Sequence, residues 1–203
     1  AGYYTERQKQ ITDDNQRIAS YSTDFNKSAS DIDRSTAYAK ASQQCYQSAF
    51  TKLVADRKAK TVNDTEGRKR LAEIVAGLKE SNDLIVTVNG KASEDLNNYT
   101  QAYEKDLQQV GVQRNDVVTV ATADATPAVV PAKKGKSTGK VVTKRPPLPV
   151  VPKEAVTTER SIQTVQAKQA ESKQVATAGK TQIEATCRNP NLADWAPVPC
   201  PNV

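Results

Sequence analysis

Histidine is entirely absent from the 203-residue sequence. Because histidine is the usual general base at neutral pH, Ser-His-Asp and Cys-His catalysis are excluded. Neither glycine-rich phosphate-binding pattern, GxxxxGK(S/T) or GxGxxG, occurs, which argues against a nucleotide cofactor. Paired acids such as Asp13 and Asp14 lie on the polar side of a predicted helix. No cleft would enclose them there and shift their pKa values apart, as general acid–base catalysis requires. We therefore expect a protein that is not an enzyme and that binds neither a cofactor nor a metal ion.

Large apolar side chains are scarce. Hydrophobic residues make up 37% of the chain, with two Phe and one Trp. Since burial stabilises by roughly 25 cal/mol per Å² of apolar surface, few large side chains make a thick globular core unfavourable. No apolar run reaches the roughly 18 residues of a membrane-spanning helix. The composition predicts a thin apolar seam between helices.

Methionine is also absent, and the chain begins with Ala1-Gly2. Such a start fits a mature product trimmed after small residues, as well as a chain cleaved from a tag. Of the three cysteines, Cys187 and Cys200 flank the short segment CRNPNLADWAPVPC, and without histidine their spacing does not suit zinc. We predict a disulfide between them, and hence export to the periplasm or the cell surface. Cys45, among Ala and Ser, fits a small core residue better than a nucleophile.

Proline is missing from the first 126 residues, and all ten prolines lie from Pro127 onward. Before that boundary, apolar residues recur every seven positions, which indicates long helices with one buried stripe. The break at TVNDTEG, with Asn63, Asp64 and Thr65 as candidate N-caps, predicts two helices in an antiparallel hairpin. The stripe comprises Ile11, Ile18, Phe25, Ile32, Leu53, Leu71, Leu78 and Ile85. A self-sufficient coiled coil has apolar residues at two positions of each seven-residue repeat, and here the second of these positions is often polar. We therefore expect the hairpin to need neighbouring helices.

Two short segments are ambiguous. LIVTVNG at 84–90 has strand-like composition and an Asn-Gly turn signal, so 65–110 could be one helix or two. The heptad pattern runs through it in register, which favours one helix that could kink at Gly90, whereas the alternative is a fresh helix that starts at Ser93. Gly111 is predicted to close the helical region, and VVTV at 117–120 could form a short strand.

Basic charge is concentrated in one proline-rich segment. Residues 127–153 contain seven basic residues and no acid, which exceeds the net charge of +6 and leaves −1 for the rest of the chain. The candidate polyanion contacts are Lys133, Lys134, Lys136, Lys140, Lys144 and Arg145. This segment could contact an anionic wall polymer or lipid surface, or serve as an extended, solvated spacer. It contains no aromatic residue, so sequence-specific nucleic-acid binding is not supported.

The C-terminal region is predicted to hold a third helix and a closed tail. Gln, Ala, Lys and Glu fill the region after Lys153, and Val165 and Ile183 belong to a sparse apolar face. In the tail, Trp195 could anchor a partner or pack back on the third helix.

Together these patterns predict a mainly α protein. The expected parts are a long, coiled-coil-like antiparallel helical hairpin at 1–112, an extended basic linker rich in Pro, Val and Lys at 113–152, a helix at 153–186 and a Cys-closed tail at 187–203. The expected function is that of a noncatalytic structural or adaptor subunit of an envelope or cell-surface assembly. Its partners would be other protein subunits or further copies of itself. Two alternatives stay open: a polyanion-binding protein, for peptidoglycan, lipopolysaccharide or nucleic acid, and a phage or secretion-apparatus rod that spans the envelope.

Overall fold

The fold is mainly α-helical, as the sequence predicts. The computed structural model describes residues 2–123, 150–189 and 199–203. Four helices lie in these ranges: α1 (Gly2–Lys58), α2 (Asp64–Gln109), α3 (Arg114–Ala123) and α4 (Lys153–Cys187). The described residues contain no strand. None of the helices in these ranges is long and apolar enough to cross a membrane.

The connection between α1 and α2 follows from local turn chemistry. Lys60 adopts a left-handed conformation with φ of 56°, and the chain then re-enters a helix. The backbone N–H of Glu66 donates a hydrogen bond of 2.8 Å to Oδ1 of Asn63, which satisfies one of the N–H groups that a helix start leaves unpaired. The prediction of Asn63 as an N-cap is confirmed, and α1 and α2 form the antiparallel hairpin.

Gly111 ends α2, as predicted, but it does not close the helical region, because α3 begins at Arg114. Gly111 has φ of +73°, and the N–H of Val112 donates to the carbonyl of Leu107 at 3.0 Å. Only a residue without a Cβ adopts this conformation without strain, which makes glycine the usual helix terminator. The chain therefore leaves α2 cleanly before Arg114.

Two compact units share the long helices. The first contains the described residues of Ala1–Asp24 and Asn98–Ile162, and the second those of Phe25–Asn97 and Gln163–Val203. In the first unit, Tyr103 is fully buried and its hydroxyl donates to the carbonyl of Ala155 at 3.1 Å. Its other buried apolar residues are Ile18, Leu107, Val117, Ala121, Ala155 and Ile162. All four helices thus contribute buried apolar residues to this unit.

Among the described residues of the second unit, two apolar clusters of unequal size are buried. The larger, which we call the hairpin-end cluster, comprises Phe50, Leu53, Leu71, Ile74, Val75, Leu78 and Ile183. The smaller comprises Ala39, Ile85 and Val175. Helix α4 contributes Ile183 to the larger cluster and Val175 to the smaller one.

Hydrogen bonds also connect α4 to α1 and α2 in the second unit. Nδ2 of Asn89 donates to Oγ of Ser172 at 2.8 Å, and Nε2 of Gln169 donates to Oγ of Ser93 at 2.8 Å. Closer to the hairpin end, Nε2 of Gln43 donates to the carbonyl of Val175 at 2.9 Å. These hydrogen bonds hold α4 in place beside its buried apolar residues Val165, Val175 and Ile183.

The two ambiguous segments are both helical. Residues 84–90 lie inside the continuous helix α2, so the one-helix interpretation is confirmed and the strand-like composition does not determine the structure. The expectation of a strand at 117–120 is wrong, because these residues belong to α3. Val117 and Ala121, one turn apart, are both fully buried, and this helical spacing points both side chains into the core of the first unit. The first part of the segment predicted to be extended, 113–152, is consequently helical.

Candidate functional site

The N-terminal end of α1 is a helix whose side chains face solvent on every side. All residues from Gly2 to Asp13, which we call the α1 extension, are exposed. Tyr4 is 76% exposed and Ile11 43%, although both continue the seven-residue spacing of Ile18, which is fully buried. Tyr3 is 68% exposed and its ring meets that of Tyr4 edge-on, with centroids 5.9 Å apart. An apolar stripe therefore runs from the core onto an uncovered helix.

A charged and hydrogen-bonded cluster marks where this exposure stops. Asp14 is buried and pairs with Arg17, whose Nε lies 3.3 Å from Oδ2 of Asp106. The hydroxyl of Tyr21 donates to the same Asp106 oxygen at 2.7 Å. Burial, and then this hydrogen bond to a carboxylate, raise the pKa of Tyr21 to about 12. The cluster fixes α1 to α2 directly after the extension.

A second surface feature is a groove between α1 and α2 in the second unit. Its volume is about 300 Å³, at the small end of the range for ligand pockets. Leu84, 43% exposed, and Val88 supply apolar surface, and Ala92 and Ser35 keep the floor narrow. Its remaining lining residues are Ser28, Asp31, Arg34, Lys91 and Asp95. Asp31 pairs with Arg34 at 2.9 Å and Lys91 with Asp95 at 3.2 Å, so the rim carries charge that is already paired within each helix.

The predicted helix-packing stripe divides into a buried part and an exposed end. Ile11 is exposed, whereas the other stripe residues have 2% exposure or less: Ile18, Phe25, Ile32, Leu53, Leu71, Leu78 and Ile85. The first unit contains Ile18, and the second contains the other six buried members. The structure thus uses most of the stripe for internal packing and leaves its N-terminal continuation uncovered.

The remaining predicted residues have different outcomes. Cys187 and Cys200 form the expected disulfide, with Cα atoms 5.5 Å apart. Cys45 is exposed, so its assignment as a small core residue is wrong: on α1 it points away from the buried stripe. The basic side chains Lys133 to Arg145 and the indole of Trp195 lie outside the described residues.

Arg114, which no sequence pattern singles out, links three helices of the first unit. Its guanidinium lies 2.7 Å from Oε1 of Glu104 on α2 and 3.1 Å from Oε1 of Glu159 on α4. Hydrogen bonds to Glu159 and Glu104 hold the pKa of Arg114 above its ordinary value. The side chain of Glu159 is only 3% exposed. Since no spacing rule links residues 104, 114 and 159, this contact has no local signal in the sequence.

The internal amides were also missed, although a signal for them existed. Asn82 and Asn89 are seven residues apart and both buried, so they follow the same repeat as the apolar stripe. A polar residue at a repeated core position is typical of a register-setting contact between helices. The described residues contain no group of three or more His, Cys, Asp or Glu side chains that could hold a metal ion.

Comparisons with protein-family models, with curated proteins and with solved structures find no match to this chain. The function is therefore inferred from the geometry of the α1 extension and the other surfaces described above.

Proposed function

We propose that the protein is a noncatalytic structural or adaptor subunit of a multi-component assembly in the cell envelope or on the cell surface. It would act through helix–helix packing, with the basic linker spanning a distance between partners. The observation that carries the proposal is the α1 extension, a run of helix that continues the buried stripe with Tyr4 and Ile11 exposed.

The α1 extension continues a helix that is already nucleated, so only the modest gain of helix propagation keeps it folded while its side chains are exposed. Most helical stability in proteins comes from packing an amphipathic face. A helix from another subunit that covered Tyr4 and Ile11 would supply this packing and would continue the seam that already buries Ile18. The extension therefore has the features of a segment completed by assembly.

The compartment is proposed on separate grounds. The disulfide between Cys187 and Cys200 is stable where thiols are oxidised, which is the case outside the cytoplasm. A stapled, mainly helical chain with a thin core would suit an envelope assembly, where neighbouring subunits supply further burial.

The proposal is tested by removing the apolar side chains of the extension. We expect the wild-type chain to self-associate or to cross-link to a partner in cells of its source, and the variant Tyr4→Ser/Ile11→Ser to lose this. The matched control is Tyr38→Ser, another exposed aromatic of α1, 48% exposed and outside the extension. Sedimentation velocity and cross-linking give the readout, and circular dichroism checks that the helices persist. A wild-type chain that stays monomeric and captures no partner would refute the proposal.

A second candidate function, binding to a polyanion, is favoured by the charge of residues 127–153. Seven basic residues without an acid give this segment the whole positive excess of the chain. Replacing Lys133, Lys134, Lys136, Lys140 and Lys144 with Gln should then abolish salt-sensitive binding to peptidoglycan or lipopolysaccharide. The same variant should assemble normally if the segment serves only as a spacer.

A further inference from the structure

The disulfide retains a short segment against the hairpin end of the second unit. Cys187 is the last residue of α4, and its bond to Cys200 brings back the chain 13 residues later. Residues Pro199–Val203, which we call the capping segment, surround this point of return. Both cysteines are partly exposed, so a reductant in solvent has access to the bond.

The capping segment covers part of the hairpin-end cluster. Val203 packs against this cluster, and so does Cys187 itself. The cluster itself is well buried, from Phe50 at 9% exposure to Ile183 at 0%. The segment thus adds an outer apolar contact to the cluster that holds α1, α2 and α4 together in this unit.

We propose that the Cys187–Cys200 disulfide is a reducible clasp whose opening releases the capping segment and uncovers the hairpin-end cluster. One partly buried valine contributes little against the conformational entropy of ordering five residues. The covalent link removes most of that entropy beforehand, because it restricts the chain before Val203 docks. The disulfide, more than the valine contact, therefore keeps the segment in place.

The chemistry of opening requires a dithiol reductant, by class a protein or small molecule with two neighbouring thiols. A thiolate of the reductant attacks one sulfur of the clasp, and the other sulfur leaves as a thiolate and takes up a proton. The second thiol of the reductant then attacks the mixed disulfide, releasing the second cysteine as a thiol. Two electrons pass to the clasp, giving two cysteine thiols and the oxidised disulfide of the reductant.

The functional consequence is an apolar surface that appears only under reducing conditions. Loss of Val203 from the cluster would expose the apolar surface of the hairpin-end cluster that this valine now covers. The α1–α2 packing of Leu53, Leu71 and Leu78 does not depend on the clasp, so the helices should persist after reduction. The thiol state of the surroundings would then decide whether this surface is presented.

The test uses the full chain with Cys45→Ser, which removes the exposed thiol that could exchange with the clasp. Methyl NMR spectra are compared for the oxidised chain, the chain reduced with dithiothreitol, and oxidised Val203→Ser. We expect reduction to shift the methyl signals of Leu53, Leu71 and Ile183 and to raise the fluorescence of a hydrophobic dye. Val203→Ser should reproduce these shifts without reduction, and the methyls of Ile85 and Val175 in the smaller cluster should stay unchanged.

A second variant, Cys187→Ser/Cys200→Ser, should resemble the reduced chain and should not respond to dithiothreitol. Identical methyl spectra before and after reduction would overturn the proposal, and so would an oxidised Val203→Ser chain identical to the parent. This inference does not rest on the proposed assembly function, since each of its readouts concerns the isolated chain.

Discussion

Two glycines of α2 have opposite surroundings, which shows how far the effect of a single Cβ depends on its neighbours. A Cβ added at Gly77 would collide with the ring of Tyr46, whereas one added at Gly90 would meet nothing within 4 Å. Tyr46 packs against the hairpin-end cluster, so moving its ring disturbs that packing. Gly77 therefore lies where α1 and α2 approach closely, and Gly90 does not.

We predict opposite signs for the same substitution at these positions. Gly90→Ala should raise the free energy of unfolding by about 0.5–1 kcal/mol, because alanine loses less backbone entropy in a helix. Gly77→Ala should lower it by about 1–3 kcal/mol, because the displaced ring costs more than the helix propensity returns. Urea denaturation of both variants measures the difference. A similar rise in both would mean that the ring of Tyr46 does not lie against α2 at Gly77.

The ionisation of Tyr21 makes the stability of the folded state depend on pH. Its pKa is raised to about 12 by burial and by its hydrogen bond to Asp106, so the folded state favours the neutral phenol. The resulting stability is fully present below the unfolded pKa of about 10 and is lost as the pH rises towards 12. We expect Asp106→Asn to lower the pKa of Tyr21, followed by NMR of its ring carbons. An unchanged titration midpoint would contradict the assigned hydrogen bond.

At the scale of the element, the start of α2 depends on one side chain. We predict that Asn63→Ala lowers the free energy of unfolding by about 1 kcal/mol, because the N–H of Glu66 loses its acceptor. Asn63→Asp keeps an oxygen at the same place and should retain most of the stability. Equal losses in the two variants, measured by thermal denaturation, would show that the hydrogen bond to the side-chain oxygen is not what stabilises the start of α2.

The attachment of α3 depends on Arg114. Arg114→Met should destabilise the chain by about 3–5 kcal/mol, since it leaves the nearly buried carboxylate of Glu159 without its cation. The matched control is Arg34→Met, whose side chain is 76% exposed and whose ion pair should contribute at most about 0.5 kcal/mol. The double variant Arg114→Met/Glu159→Leu should recover most of the loss. Chemical denaturation of the wild-type chain and these three variants distinguishes the loss of a buried ion pair from a simple loss of packing.

Much of the element order could be predicted from local signals, and the failures have a common physical origin. The seven-residue repeat, Asn63 and Gly111 act through neighbours close in sequence, so the hairpin and its ends were predictable. VVTV at 117–120 has strand-like residues, but contacts of Val117 and Arg114 with distant parts of the first unit stabilise a helix. The exposure of Ile11 was unpredictable for the same reason, because whether a stripe is covered depends on where the other helices end.

At the scale of the whole molecule, α1 is one continuous helix from Gly2 to Lys58, but its residues Gly2 to Asp13 are all exposed. Residues of the α1 extension should exchange their amide hydrogens much faster than residues 25–53 of the same helix, because exposed helix ends open locally. Hydrogen-exchange mass spectrometry of the isolated chain measures this directly. Binding of a partner helix should slow exchange in the extension and leave residues 25–53 unchanged. Strong protection of the extension in the isolated monomer would contradict its exposed placement.

The side-chain amides of Asn89 and Gln169 restrict α4 to one position along α2. A helix rich in Ala, Gln and Lys could slide along a smooth apolar surface by a turn with little loss. Here such a slip would separate Asn89 from Ser172 and Gln169 from Ser93, leaving polar groups dehydrated and unsatisfied. A substitute helix from another molecule would have to reproduce this spacing of hydroxyl and amide groups, so the hydrogen-bonded seam discriminates among helices of similar hydrophobicity.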